Sequence, residues 1–295
     1  MSQQAPRTAV EVTGHTQLVG LFGWPVEHSI SPPMQNAALL AVGLDWCYLP
    51  FAVPPERLAD ALRGVRALGF RGVNATVPHK QALLSLVDEL TPEAQAIGAV
   101  NTLLLGPRTV GHNTDAAGFL HALRDTGFHA EGRRVLMLGA GGAARAVGYA
   151  LLSAGARLTI LNRTAERAAA LATDLTAVLP SAAIDAGALD QTVLAQHAPQ
   201  AELVVNTTVV GMSSHGDGCP WPDEVPYPEG VPLFDLIYSP PETRLMALAR
   251  RTGAQATNGL TMLVHQGAEA FRLWTGVEPP VDVMLRACLH ALGRS

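Results

Sequence analysis

An α/β fold in two units is what the sequence predicts, on three observations. Between Gln17 and Leu105, short apolar runs alternate with helix-spaced apolar residues, the pattern of strands joined through helical crossovers. From Arg134 a second series of the same kind begins, opened by an apolar run that leads straight into glycines. A chain of 295 residues is also long enough for two cores of about 100 to 200 residues each.

The elements follow in order. Gln17 to Gly23 reads as a strand, and Ser31, followed by Pro32 and Pro33, is placed as the N-cap of a helix that carries Met34, Ala37, Ala38 and Ala41. Strands are expected at Trp46 to Phe51, Gly72 to Val77 and Ala99 to Leu104, separated by helices near Pro55 to Leu68 and Pro78 to Val87. The second series runs strand (Val135 to Leu138), glycine loop, helix (to Ala154), strand (Leu158 to Leu161), helix (Ala165 to Leu175) and strands at Leu203 to Asn206 and Leu233 to Leu236. Met212 to Pro232, with five prolines and three glycines, reads as a long surface loop of the kind that often covers a site. Two helical patterns, Leu260 to Trp274 and Val281 to Leu292, close the chain with no strand to pair.

Composition narrows the function. With 48% hydrophobic and 15% charged residues the chain is globular rather than disordered. Twenty Lys and Arg against 25 Asp and Glu, with no basic run, provide no footprint for nucleic acid or an anionic membrane. Cys47, Cys219 and Cys288 are far apart and no histidines stand at ligand spacing, so neither disulfides nor a metal site are expected. The N-terminal MSQQAPRTAVEVTGHTQ lacks the apolar core of a signal peptide, and the most apolar window, Val135 to Leu158, holds five glycines and Arg145. The expectation is a cytoplasmic protein without a membrane span.

The glycine loop carries the first functional reading. Val135 to Leu138 leads into Gly139-Ala140-Gly141-Gly142-Ala143-Ala144, a G-x-G-x-x-A turn between strand and helix. Such a turn presents backbone N–H groups and a helix N-terminus to a pyrophosphate, and Ala144 is small enough for close packing of helix on strand. A Rossmann-type doubly wound unit is therefore expected here. An NAD enzyme usually places a carboxylate at the end of the next strand, about 20 residues after the first glycine. Here that place holds Asn162-Arg163-Thr164, with Arg167 four residues beyond Arg163. Guanidinium groups pair with a 2′-phosphate that a carboxylate would repel, so NADP is the expected cofactor.

Polar residues recur at strand ends of the first unit: Ser29 and Ser31, Asn74 and Thr76, Lys80, Asn101, then Asn113-Thr114-Asp115. If the strands are parallel, these ends share one sheet edge, where open α/β folds bind ligands. Hydroxyls, amides, one ammonium and one carboxylate suit a small polyhydroxylated acid. Lys80 and Asp115 are the ionisable pair able to move the proton that accompanies a hydride in redox chemistry of an alcohol.

These residues lie in ordered stretches, HSISPPMQN (from His28), GVNATVPHK (from Gly72), GAVNTL (from Gly98), GHNTDAAGF (from Gly111), LGAGGAARAV, NRTAERA, NTTVVGM (from Asn206), FDLIYSPPET (from Phe234) and NGLTMLVHQGAEAF (from Asn258). From about Leu18 to Leu289 the chain resembles the shikimate dehydrogenases of the shikimate/quinate dehydrogenase family. The resemblance implies reversible NADP-dependent reduction of 3-dehydroshikimate to shikimate, on the route to chorismate and the aromatic amino acids. It implies a substrate-binding domain over 1–114, an NADP-binding domain over 115–258 and C-terminal helices, 259–295, packing back on the substrate domain, with a cleft that opens and closes.

By the same resemblance Lys80 is the proton-transfer lysine and Asp115 its partner on a substrate hydroxyl. Ser29 and Ser31 anchor the substrate carboxylate, with Thr76, Asn101, Tyr238 and Gln266 as further substrate contacts. Gly139, Ala140, Gly141, Gly142, Ala143, Asn162, Arg163, Thr164, Arg167, Leu236 and Gly259 are the implied cofactor contacts. Three places depart from the family pattern: Ala116 stands where glycine is expected, Thr208-Val209-Val210 replaces a more usual A-T-S-S run, and Thr261 replaces a glycine. The implied partners are small molecules, with monomer and homodimer both open. Two alternatives remain at this point: a quinate/shikimate dehydrogenase of broader substrate range that uses NAD, and a non-enzymatic NADP-binding sensor on the same scaffold.

Overall fold

The computed structural model describes residues 12–213 and 216–293; the start of the N-terminal segment and Ser214 and His215 of the proline-rich loop lie outside the described residues. The chain divides into two compact units, Met1–Thr114 with Leu263–Ser295, and Asp115–Met262.

The first unit holds β1 (Gln17–Gly23), α1 (Ser31–Ala41), β2 (Trp46–Ala52), α2 (Leu58–Ala67), β3 (Gly72–Ala75), β4 (Glu89–Leu90), α3 (Pro92–Ile97), β5 (Thr102–Leu105) and β6 (Thr109–His112). Its sheet runs β2-β1-β3-β5-β6-β4. β1 is parallel to β2 and β3, but β5 is antiparallel to both β3 and β6. The all-parallel expectation for this unit is thus corrected. The connection from β3 to β5 carries the short α3, while Pro78 to Val87 forms turns and a 3-10 stretch (Ala82–Ser85) in place of the expected helix. The Lys80 carbonyl, which a helix would need as an acceptor, takes the N–H of Val100 at 2.8 Å.

A second correction concerns Ser31. α1 begins at Ser31 itself, with Ile30 as N-cap and no side-chain cap. Pro32 and Pro33 have no N–H to donate, and the Met34 N–H goes to the Ile30 carbonyl, so a capping hydroxyl would find no donor there. The core of this unit gathers Phe22, Leu62, Phe70, Val73, Leu83 and Leu103. The chain returns to it from within α9 (Leu260–Thr275) and ends with α10 (Val281–Ala291), which packs on α1. Two buried bonds fasten α9: Gln35 Nε2 donates to the Gly267 carbonyl (2.8 Å) and Trp274 Nε1 to the Leu103 carbonyl (3.0 Å).

The second unit starts with α4 (Asp115–Asp125) and continues through β7 (Arg134–Leu138), α5 (Gly142–Ser153), β8 (Arg157–Asn162), α6 (Ala165–Val178), β9 (Ile184–Ala188), α7 (Gln191–His197), β10 (Leu203–Asn206), β11 (Leu233–Asp235), α8 (Arg244–Arg251) and β12 (Ala256–Thr257). Its six strands are all parallel, in the order β12-β11-β10-β7-β8-β9. The chain moves outward from β7 through β8 to β9, then returns to lay β10 on the other side of β7. The carboxyl ends of β7 and β10 therefore flank the switch point at which doubly wound sheets bind ligands.

The stretch from Met212 to Pro232 forms no strand or α-helix among the described residues, yet it is more than a surface loop. Trp221, Val225 and Tyr227 are buried in the core with Leu233 and Leu245. The Trp221 indole donates to the Val225 carbonyl (2.8 Å), and its ring lies 5.0 Å from that of Tyr227. Apolar rings of this size bury enough surface to hold an irregular segment in place. No helix among the described residues is long and apolar enough to cross a membrane.

Candidate active site

Reversal of β5 is what assembles the first half of the site. Asn74 near the end of β3 pairs in register with Thr102 at the start of β5, and Thr102 in turn with His112 at the end of β6. Asn101, just before β5, therefore stands at the same edge as the residues that follow β3 and β6. Had β5 been parallel, its start would lie at the far edge. The Asn101 Oδ1 accepts from the Thr114 N–H (2.7 Å) and the Thr102 hydroxyl (3.0 Å), while its Nδ2 donates to Thr114 Oγ1 (2.9 Å) and Gln266 Oε1 (3.4 Å). Gln266, on α9, donates from Nε2 to the Leu263 carbonyl at 2.8 Å. So 165 residues of sequence separate two amides that meet.

The segment after β3 is folded by its backbone. The Thr76 N–H donates to the Phe22 carbonyl, and the Thr76 carbonyl accepts from His79 N–H, both at 2.9 Å. His79 is buried, its Nε2 lies 2.9 Å from the Val53 carbonyl, and burial holds it below the ordinary imidazole value. This makes His79 a neutral anchor beside half-buried Lys80, whose carbonyl is fixed to Val100. Ser29 Oγ accepts from the Ser31 N–H at 3.3 Å. The Ser31 side chain, released from capping, has no hydrogen-bond partner among the described residues.

Asp115 follows Thr114 directly and opens α4 of the second unit; it is buried, as is Ala116. In the same unit Gly139 adopts φ +109°, a conformation that favours glycine, and a side chain there would meet Thr207 Oγ1 at 2.5 Å. At Gly141 a side chain would meet nothing within 4 Å. Gly141 is the N-cap of α5 with no side-chain bond to the first turn, so the N-cap residue leaves the orphan N–H groups of Gly142, Ala143 and Ala144 uncapped. At the end of β8, Asn162 Nδ2 donates to the Thr164 carbonyl (2.9 Å), while Arg163 and Arg167 are exposed and make no ion pair among the described residues. An uncapped glycine cradle and two unpaired guanidinium groups fit a dinucleotide that carries both a pyrophosphate and a 2′-phosphate.

Behind the switch point lies a buried carboxylate that the sequence reading missed. Asp235 ends β11 and accepts from Asn206 Nδ2 (2.9 Å), Ile237 N–H (3.1 Å) and the Thr243 hydroxyl (2.7 Å). Burial pushes its carboxyl upward, against the pull of those three donors. Asn206 Oδ1 accepts in turn from the N–H and hydroxyl of Thr208, so the departing Thr208 is held as part of this turn. Leu236 and half-buried Tyr238 follow, and the Gly259 N–H bonds to the Ile237 carbonyl (3.1 Å) where a side chain would lie 2.0 Å from the Leu236 carbonyl. Thr261 brings a buried hydroxyl with no partner among the described residues. The only sequence signal for Asp235 was an acidic residue closing an apolar strand. Asp235→Ala should cost about 3 kcal/mol or more, since it orphans three buried donors, read as a lower urea midpoint with an unchanged m-value.

Among the described residues no group of three or more His, Cys, Asp or Glu side chains stands together as a metal site.

Comparison with known proteins agrees with this anatomy. Residues 21–103 match the family model described as shikimate dehydrogenase substrate binding domain, 122–210 that of shikimate / quinate 5-dehydrogenase, and 259–289 that of shikimate 5'-dehydrogenase C-terminal domain. A protein of Geobacter metallireducens named shikimate dehydrogenase (NADP(+)) is 46% identical over 97% of this chain and 100% of its own length. A shikimate 5-dehydrogenase of Thermus thermophilus, solved in complex with NADP(H) and shikimate, superposes with a TM-score of 0.84 at 42% identity, covering 94% of this chain and 100% of that one. A quinate dehydrogenase of Corynebacterium glutamicum, solved in complex with NAD, gives 0.85 at 33% identity over 93% and 99%.

Proposed function

The chain belongs to the shikimate dehydrogenase family, and from that premise we propose that it catalyses the reversible, NADPH-dependent reduction of 3-dehydroshikimate to shikimate, a step toward the aromatic amino acids. It is an NADP-dependent oxidoreductase. The observation that carries the cofactor is the pair Arg163, just after β8, and Arg167, in the first turn of α6, with Asn162 closing β8 where an NAD enzyme usually places a carboxylate. The broader quinate and NAD reading is not favoured, because the quinate dehydrogenase is the more distant relative.

In this reading the residues that hold the dinucleotide all belong to the second unit. When bound, NADPH supplies the hydride; the chain supplies the proton. Lys80 gives a proton to the C3 oxygen in the reduction direction and takes it back in oxidation, and Asp115 accepts a hydrogen bond from a substrate hydroxyl. Ser29 and Ser31 donate hydroxyl bonds to the carboxylate without bringing a fixed charge. Thr76, Asn101, Tyr238 and Gln266 hold the ring hydroxyls, and a substrate lacking one of these would leave a polar group unpaired and be rejected. Gly139, Ala140, Gly141, Gly142 and Ala143 hold the pyrophosphate, Asn162, Arg163, Thr164 and Arg167 the adenosine ribose and its phosphate, and Leu236 and Gly259 the nicotinamide half. The three free thiols, Cys47, Cys219 and Cys288, suit the reducing cytoplasm. Nothing in the candidate set requires a second copy of the chain, so turnover is expected of monomer and homodimer alike.

Initial rates with shikimate and quinate, each with NADP+ and NAD+, test this. The expected result is turnover with shikimate and NADP+ that exceeds the other three combinations at least about tenfold, the worth of one lost charged or buried hydrogen bond. Quinate with NAD+ at an equal rate, or NADP+ binding without turnover of either acid, would overturn it.

A further inference from the structure

The buried bonds around Asn101 form a chain with one direction. It begins at Tyr48 on β2, whose hydroxyl donates to Asn74 Oδ1 at 2.9 Å. Asn74 Nδ2 donates to the Asn101 carbonyl (3.3 Å) and to Thr102 Oγ1 (2.9 Å), and the Thr102 hydroxyl donates to Asn101 Oδ1 (3.0 Å). Two backbone groups leave no choice of direction. The Asn101 carbonyl can only accept, so Asn74 must turn its NH2 toward it; the Thr114 N–H can only donate, so the Asn101 atom 2.7 Å away must be the oxygen. Thr102, already accepting from Asn74, has one proton; Asn101 Oδ1 at 3.0 Å is its nearer acceptor, with Thr114 Oγ1 3.2 Å away.

All four side chains are buried, Tyr48 at 1% exposure and Thr102 at 0%. Burial pushes the Tyr48 phenol far above its ordinary range, so it stays a donor. A donor-to-donor clash in such a place costs a full unmade hydrogen bond, which keeps the amide from turning over. The Asn101 NH2 bonds to Thr114 Oγ1 at 2.9 Å and, at a long 3.4 Å, to Gln266 Oε1. That long bond is the weakest of the set and the one a ligand oxygen most easily replaces.

We propose that Tyr48, Asn74 and Thr102 are positioning residues that lock the Asn101 amide with its NH2 toward the substrate, so that Asn101 reads a substrate oxygen as an acceptor. The proposal rests on the assignment of Asn101 as a substrate contact. Thr102→Val keeps the shape and removes the hydroxyl proton that Asn101 Oδ1 accepts; Tyr48→Phe removes the first donor. Steady-state kinetics on the full chain should show KM for shikimate raised about tenfold in Thr102→Val and about fivefold in Tyr48→Phe, with KM for NADP+ unchanged and kcat little altered. Thr102→Ser, which keeps the hydroxyl, should restore KM.

A second readout does not depend on turnover. The side-chain NH2 signals of Asn101, assigned by their loss in Asn101→Asp, should exchange with solvent at least about tenfold faster in Thr102→Val than in wild type. Unchanged exchange with unchanged KM would overturn the proposal, as would an equal rise in KM for NADP+ or failure of Thr102→Ser to restore KM. Faster exchange in a protein that does not turn over shikimate would uphold the lock and overturn the substrate assignment instead. Should Thr102→Val fail to fold, Tyr48→Phe and the exchange measurement on it decide the matter in the same way.

Discussion

Lys80→Met is expected to lower kcat for shikimate oxidation about a thousandfold, within the range that a positioned proton-transfer group contributes. Methionine keeps the length and apolar stem of lysine but holds no exchangeable proton. The fold should survive, because the Lys80 carbonyl to the Val100 N–H, the Thr76 carbonyl to the His79 N–H and the His79 ring beside the Val53 carbonyl all remain in the variant. KM for NADP+ should stay near wild type, since the glycine loop and the β8 arginines belong to the other unit. Lys80→Arg separates charge from proton transfer: the guanidinium keeps the cation but does not give up its proton near neutral pH, so it too should be slow. Steady-state rates with thermal melting as a control check this. Turnover of Lys80→Met within a few-fold of wild type would remove Lys80 from the chemistry.

Removing both Arg163 and Arg167 should reverse the preference for cofactor. Each charge-assisted bond to a phosphate contributes about 1.5 kcal/mol or more, so Arg163→Ser with Arg167→Ser should raise KM for NADP+ about a hundredfold. KM for NAD+, which has no 2′-phosphate, should change little. Stability should hardly move, as both side chains are exposed and unpaired among the described residues. The wild-type KM for NADP+ should also climb with ionic strength more steeply than that for NAD+, a dependence the double variant loses. Equal effects on the two cofactors would place the 2′-phosphate elsewhere.

Much of this was legible along the chain. β1 and β10 stand where their apolar runs place them, and β7, β8 and β11 within a residue or so at each end. The glycine cradle was legible because its cause is local: Gly139 needs a positive φ, and the turn sits between a strand and a helix that the neighbouring residues specify by themselves. β9, α7, α8 and β12 escaped notice because they are short or weakly patterned; Ile184–Ala188 carries a single large apolar residue on an edge strand. The helix expected at Pro78 to Val87 failed because a distant N–H, that of Val100, took the carbonyl it needed.

By itself the sequence determined the two α/β units, the glycine loop between strand and helix, the two arginines that follow the next strand and the polar residues available at strand ends, all consequences of short-range pattern and of which atoms each residue carries. Only the tertiary structure decided which of these meet. It reversed β5, so that Asn101 joins Asn74 and Thr114 at one edge, brought Gln266 back from α9, and buried Tyr48, Thr102 and Asp235 as partners. The physical reason is range: propensity and periodicity act over a few residues, whereas strand direction and hydrogen-bond partners are settled by which segments the core brings together, and the Tyr48 to Asn74 bond spans 26 residues of chain.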